Sequence, residues 1–314
     1  MTYSIHDPAF SIIMPVFNRA HLICESLDSI VSQSFPYWQC IIVDDHSTDN
    51  TVELVKEYTA KDSRFKFYKR PPSRKKGANS CRNYGLAKSK GEYIHWFDSD
   101  DIAHPKYLEV SLNLLKTYDV DFCRFSRATF KGNFEYKFLR QEVSAVKKID
   151  QTAIEKLLKN ELPFNTCNVI WRRSSIGDQR FNENIVYGDE WEYYPRLLAQ
   201  GLEGVSIENI LFFGRKHANS TTYEFWNQDP VRRRSKIKAV KLVIDHLKQK
   251  DLLSPSLVKY FLQTGFFLKD LSIIDYTLRQ ANSGCFKKMK YIWGYRLYPI
   301  VRPFLKLKGS LRRF

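Results

Sequence analysis

The chain has 314 residues, 43% hydrophobic and 15% aromatic, which is enough apolar content for one large domain with an appendage or for two modest domains, and too much for global disorder. Its formal charge of +16 suits polyanions or an anionic membrane surface. Six scattered cysteines without a CxxC pair exclude a zinc signature and a disulfide framework, and neither a leader segment nor an apolar run of about eighteen residues is present, so a chain working inside the cell is expected.

Strand and helix signals alternate through the first hundred residues. Phe10–Val16 reads as a short buried strand that Pro15 and Asn18 end, and the spacing of Leu22, Ile23, Leu27, Ile30 and Val31 predicts a helix with Asn18 as its cap. Cys40–Val43 predicts a second strand, ending in Asp44-Asp45, with a helix capped by Ser47 or Asp49 after it. Phe65–Tyr68 predicts a third strand and Ala78–Ala87 a helix. Tyr93–Phe97 predicts another strand, which ends in Asp98-Ser99-Asp100-Asp101. This alternation implies a parallel sheet with helices on both faces, and strands ending in carboxylates place charge where such sheets bind ligands.

Beyond Pro105 the pattern is mixed. Helices are expected over Pro105–Thr117, Gln151–Lys159 and Gly188–Ala199, and strands near Asp121–Phe125, Thr166–Trp171 and Val205–Phe213. From Asp229 the sequence becomes helical and basic, which places a boundary near Asn227.

Alternating carboxylates at a strand end offer oxygens to Mn2+ or Mg2+ bound to phosphates; taken alone, the same four residues also make a turn and helix cap. The segments SIIMPVFNR, IIVDDHSTDNT, GANSCRNYGL and GEYIHWFDSDD, in that order, resemble the nucleotide-sugar half of glycosyltransferase family 2. The likeness is close over residues 10–110 and looser to about 220. It implies an α/β GT-A fold, a Rossmann-like mixed sheet flanked by helices, over residues 1–227. Residues 10–110 would form the nucleotide-sugar half and 111–227 the acceptor half, with a basic helical extension over 228–314.

The resemblance also implies roles. Pro15, Val16, Phe17 and Asn18 would line the base and ribose site, and Asp44 would read the nucleobase, most often uracil, with Asp45 in support. Arg82 would reach toward the donor phosphates, a guanidinium being a permanently charged fork donor, and Gly77 and Asn79 would belong to the nucleotide-sugar site. Asp98 and Ser99 would meet the ribose or sugar. Asp100 would be the main ligand of Mn2+ or Mg2+, with Asp98 and His217 as further ligands. In Gly188-Asp189-Glu190-Trp191 the family's acidic pair stands in reversed order, and register puts Glu190 in the position of the general base, with Asp189 as the alternative. Phe213–His217 resembles a basic segment that closes over the diphosphate.

The expected activity is inverting transfer from a nucleotide diphosphate sugar, a UDP-sugar foremost, to a glycan or lipid-linked glycan of a cell-surface polysaccharide. A nucleotidyltransferase and a non-catalytic sugar-nucleotide-binding protein are the rival readings; the first normally has a glycine-rich loop with a lysine after its first strand, which VFNRAHL lacks. Residues 281–314 carry nine Lys or Arg, seven aromatics and no acid. Such a segment fits either the surface of an anionic membrane, from the cytoplasmic side, or a solvated helical appendage that could also serve oligomerisation. No motif supports nucleic-acid binding.

Overall fold

The computed structural model describes residues 3–4, 6–138, 142–217 and 221–310, with side chains placed as far as residue 297. It divides into two compact units, 1–232 and 233–314. The first unit is built on a nine-stranded mixed sheet.

Strands β1 (Phe10–Val16), β2 (Trp38–Asp44), β3 (Phe65–Lys69) and β4 (Tyr93–Trp96) are parallel, in the spatial order β3-β2-β1-β4. The helices between them are α1 (Ile23–Val31), α2 (Thr51–Lys61) and α3 (Ala78–Lys88). Both β1 and β2 are buried along their whole length, as a continuous apolar run requires of a strand covered on both faces. Phe10, Ile12, Met14 and Val16 pack into the main core with Ile23, Leu27 and Ile30 of α1. Ile13, Val43 and Gly85 meet on the face that α3 covers, where a Cβ on Gly85 would lie 2.4 Å from Ile13 Cγ2.

The rest of the sheet departs from a purely parallel plan. After β5 (Ile102–Ala103) and α4 (Tyr107–Tyr118) come β6 (Phe122–Phe130), β7 (Lys147–Ile149), α5 (Ile154–Leu158), β8 (Val169–Arg172), α6 (Arg173–Ile176), α7 (Asp189–Leu198) and β9 (Gly204–Arg215). Strand β8 lies antiparallel between β4 and β6, β9 runs parallel to β6, and β5 and β7 pair antiparallel with β9. Two short strands, β5 and β7, lack the length that makes a strand legible in sequence. The helix expected to be capped at Asn18 starts at Ile23 instead: Asn18 adopts a left-handed φ of 51°, and its side-chain oxygen accepts from Thr48 N at 2.8 Å. Helix α8 (Thr221–Trp226) leads into α9 (Pro230–Gln249), within which the division between the two units falls. The second unit continues with α10 (Pro255–Phe267), α11 (Leu271–Gln280) and α12 (Cys285–Ser310).

One close approach fixes how the chain enters β4. The Ser11 hydroxyl accepts from Gly91 N at 2.8 Å and from Gln39 Nε2 at 2.7 Å, and a Cβ on Gly91 would stand 2.6 Å from the backbone of Phe10 and Ser11. Backbone cannot yield there as a side-chain tip would. Gly91→Ala is therefore expected to destabilise the first unit by about 1–3 kcal/mol, read as a lower urea midpoint. Gly294→Ala, with open space around its position in α12, should be neutral or slightly stabilising.

Candidate active site

The carboxyl ends of β1, β2 and β4 open onto a cleft of about 1170 Å³ in the first unit. Pro15, Val16, Phe17, Asp45, Arg82, Asp98, Ser99, Asp100, Asp189, Glu190 and His217 line it, so most of the residues singled out in the sequence share one cavity. The two halves of the sheet bring them there from positions up to 202 residues apart, counting from Pro15 to His217.

At the end of β2 the two aspartates part company. Asp44 is fully buried and both its carboxylate oxygens accept from Ser47 N at 3.1 Å, which closes a turn. Asp45 lines the cleft, accepts from Gly77 N at 2.8 Å and is paired with Arg70. Of the two, Asp45 lines the cleft and Asp44 does not. Asn18, Gly77 and Asn79 are likewise not among the residues that line the cleft. Asn18 ties the end of β1 to the end of β2, accepting from Thr48 N and donating its own backbone N–H to Ser47 Oγ at 2.9 Å. Gly77, at φ 132°, turns the chain into α3 in a conformation that L side chains rarely adopt. Asn79 Nδ2 donates to the carbonyls of Asn182 and Ile185, at 3.1 and 2.8 Å.

Arg82 projects from α3 and is 6% exposed. Its Nη1 donates to Asp189 Oδ2 at 2.6 Å and to Asn79 Oδ1 at 2.9 Å, and its Nη2 donates to Asp98 Oδ1 at 3.0 Å. One guanidinium thereby joins the loop after β4 to the first turn of α7. Burial works against its charge, but Asp189, Asp98 and Glu190 more than restore it. Gly188, in the left-handed region at φ 76°, makes the turn that starts α7, and the acids at 189 and 190 sit in the first turn, where the helix dipole favours them. Trp191 Nε1 donates to Leu158 O at 2.9 Å and anchors that turn.

Within the acidic pair the environments diverge. Burial would raise Asp189, yet Arg82 and a hydrogen bond with Glu190 hold it below the ordinary aspartate range. Burial, the charge on Asp189 and the same hydrogen bond push Glu190 up to about 8. The environments therefore push the two carboxyl groups apart, Asp189 toward its charged form and Glu190 toward its protonated form.

Asp100 lies elsewhere on the cleft wall. Its Oδ2 is 2.9 Å from His217 Nε2 and 3.6 Å from Arg19 Nε, and these partners hold it below the usual range against the effect of burial. Asp101 lines the cleft as well, accepts from Arg215 N at 2.9 Å, and is raised well above the ordinary value by burial. Arg215 also donates Nε to Asp100 O at 3.1 Å and Nη2 to Glu25 Oε2 at 2.9 Å, fastening the end of β9 to the acidic loop.

Four cleft-lining cations, Arg19, Arg127, Lys131 and Arg232, have no role among the expectations drawn from the sequence. Arg19 was visible as the end of SIIMPVFNR. Arg127 lies in β6, where register shifts at Ser126 interrupt the pairing with β9, and its guanidinium occupies the space that a Cβ on Gly214 would take. No sequence signal marked it, since Arg127 lies beyond the strand expected near Asp121–Phe125.

Comparison with known proteins gives the same account of the fold. The family model described as glycosyl transferase family 2 matches residues 11–181. The chain is 32% identical over 154 residues to the Escherichia coli UDP-Glc:alpha-D-GlcNAc-diphosphoundecaprenol beta-1,3-glucosyltransferase WfgD, an alignment covering 49% of this chain and 56% of that protein. It therefore matches little more than half of that relative's length. Staphylococcus aureus TarS residues 1–349 in complex with UDP-GlcNAc superposes with a TM-score of 0.67 at 20% identity, over 86% of this chain and 79% of that one. The Pyrobaculum calidifontis mannosyltransferase PcManGT in complex with GDP-Man and Mn2+ gives a TM-score of 0.53 at 15% identity, over 96% and 83% of the two chains. The likeness to these structures is one of fold, the mixed GT-A sheet flanked by helices, with a helical region after it. With the family match running over more than half of its length, the chain belongs to glycosyltransferase family 2.

Proposed function

We propose that the chain transfers a sugar, with inversion, from a UDP-sugar to a glycan or lipid-linked glycan acceptor in the synthesis of a cell-surface polysaccharide. The observation that carries this reading is that one cleft holds Glu190 beside an arginine-paired Asp189, while Asp100 and His217 meet elsewhere on its wall. The UDP-Glc and diphosphoundecaprenol in the name of the Escherichia coli relative and the UDP-GlcNAc held by TarS support the donor and the class of acceptor.

The donor's nucleoside would lie at the ends of β1 and β2, against Pro15, Val16 and Phe17, with Asp45 rather than Asp44 facing the base. Asp98 and Ser99 would meet the ribose or sugar, and Arg82, Arg19 and Lys216 supply positive charge toward the diphosphate.

The donor set suits a divalent cation. Asp100 and His217 present a carboxylate oxygen and an imidazole nitrogen at 2.9 Å from each other, with Asp98 lining the same cleft, a set that Mn2+ or Mg2+ accepts. The deeper trio Asp98, Asp101 and Cys167 suits such hard ions less, because burial keeps the Cys167 thiol protonated. When bound, the ion supplies Lewis-acid stabilisation of the leaving nucleoside diphosphate. Excess EDTA is expected to abolish transfer and Mn2+ to restore it, and Asp100→Ala should lose both turnover and tight donor binding. Undiminished turnover in EDTA, followed as UDP release with a panel of donors, would sink the metal assignment.

Glu190 serves as the base in this reading and Asp189 does not, because Asp189 is neutralised by Arg82 at 2.6 Å and held at low pKa, which makes it a weak proton acceptor. A carboxyl group near 8 gains its base form as pH rises, so kcat/KM should climb with pH and level off above about 8. Glu190→Gln should remove that limb and cut kcat by about 10²–10⁴ with donor affinity nearly intact. Asp189→Asn removes the charge that raises Glu190 and should move the limb to lower pH. If Asp189→Asn shows the large kcat loss and Glu190→Gln stays active, the base is Asp189.

A further inference from the structure

The second unit carries a helix with two apolar faces. Val258 and Leu262 of α10 pack against Ile274 and Leu278 of α11, and Tyr291 and Tyr295 of α12 close over that cluster, Tyr295 with its ring 5.6 Å from that of Phe266. This inner face accounts for the folding of α12 onto its unit.

Turned by about half a revolution from the two tyrosines are Phe286, Met289, Trp293 and Leu297. Their spacing of three, four and four residues places them in one stripe along the helix. They are 87, 47, 58 and 47% exposed. Four large apolar side chains in a continuous exposed row differ from the scattered singles that any surface shows. Lys290 borders the stripe on one side and Arg296 on the other, both exposed, with Lys287 further round. The helix is not long and apolar enough to cross a membrane, in common with every other helix among the described residues.

We propose that this outer face of α12 seats the protein on an anionic lipid surface, the stripe entering the headgroup–acyl boundary and the flanking cations meeting lipid phosphates. The occupant follows from charge. Residues 281–314 hold nine Lys or Arg and no Asp or Glu, so a second copy of the same face would set two basic helices against each other, whereas an anionic leaflet complements them. The side chains match as well: a tryptophan mid-stripe with basic neighbours is what an in-plane interfacial helix presents. The inference is independent of the reaction assigned to the cleft.

The test uses the full chain. At low salt it should sediment with vesicles rich in phosphatidylglycerol and not with pure phosphatidylcholine, and binding should weaken as ionic strength passes about 0.1 M, where charges are screened over about 10 Å. Removing Lys287 or Lys290 charge, as Lys287→Gln or Lys290→Gln, should weaken binding about fivefold each. Phe286→Ser with Trp293→Ser should reduce it by more than about tenfold, these side chains being the apolar anchor. Bromine-labelled phosphatidylglycerol should quench tryptophan fluorescence in the unaltered chain, and Trp293→Phe, which leaves the helix apolar, should lose that quenching. A chain that ignores anionic vesicles at low salt, or a Trp293→Phe variant quenched like the parent, overturns the proposal. So does a lipid-free dimer, seen by sedimentation velocity, that Phe286→Ser with Trp293→Ser dissolves, for the face is then a self-association seam.

Discussion

The cleft depends on one buried cation. Arg82 has lost nearly all contact with water, and a guanidinium in that position is tolerated because two carboxylates and an amide oxygen accept its hydrogen bonds. Its partners come from different parts of the chain, Asp98 from the loop after β4 and Asp189 from the start of α7. Removing one partner from such a buried pair typically costs about 3–5 kcal/mol, since the remaining charge is left uncompensated. The same contact sets the protonation of the acidic pair. Arg82 favours the charged form of Asp189, and that charge disfavours a second one on the adjacent Glu190.

The mixed sheet is what lets these groups meet. Its parallel half delivers three strand ends to one edge, as alternating strands and helices must. The antiparallel insertion of β8 beside β4 then extends the sheet and brings β6 and β9 into reach of that edge. Arg215, at the end of β9, bonds the backbone of Asp100 and the side chain of Glu25, while its own N–H meets Asp101. His217, two residues on, reaches Asp100 as a consequence. Asn79 and Asn83 perform the corresponding task for the other wall, gripping carbonyls of the 181–185 segment that precedes α7.

Much of this was legible from the sequence, for identifiable reasons. Long apolar runs such as Phe10–Val16 and amphipathic spacing such as that of α1 have burial patterns that override local ambiguity, and they gave the order of elements correctly. Strands β5 and β7, two and three residues long, carry no period to detect. The helix start at Ile23 was misplaced because Asn18 has the chemistry of a cap but spends it on Thr48, 30 residues away. Arg127 could not be assigned because it lies past the expected strand, beyond the register shifts at Ser126.

By itself the sequence determined the family, the alternating first half, the acidic strand ends and the basic, acid-free tail, since each is written in local composition and order. Tertiary structure alone decided which of two adjacent aspartates faces the cleft, and which member of the Asp189–Glu190 pair is pushed below the ordinary carboxyl range and which above it. It also decided which aromatics of α12 turn inward. Adjacent residues on an extended chain point to opposite faces, and the pKa of a carboxyl group depends on charges brought near it from remote positions. Likewise, α12 presents apolar residues nearly all round, and only packing against α10 and α11 separates Tyr291 and Tyr295 from the exposed stripe.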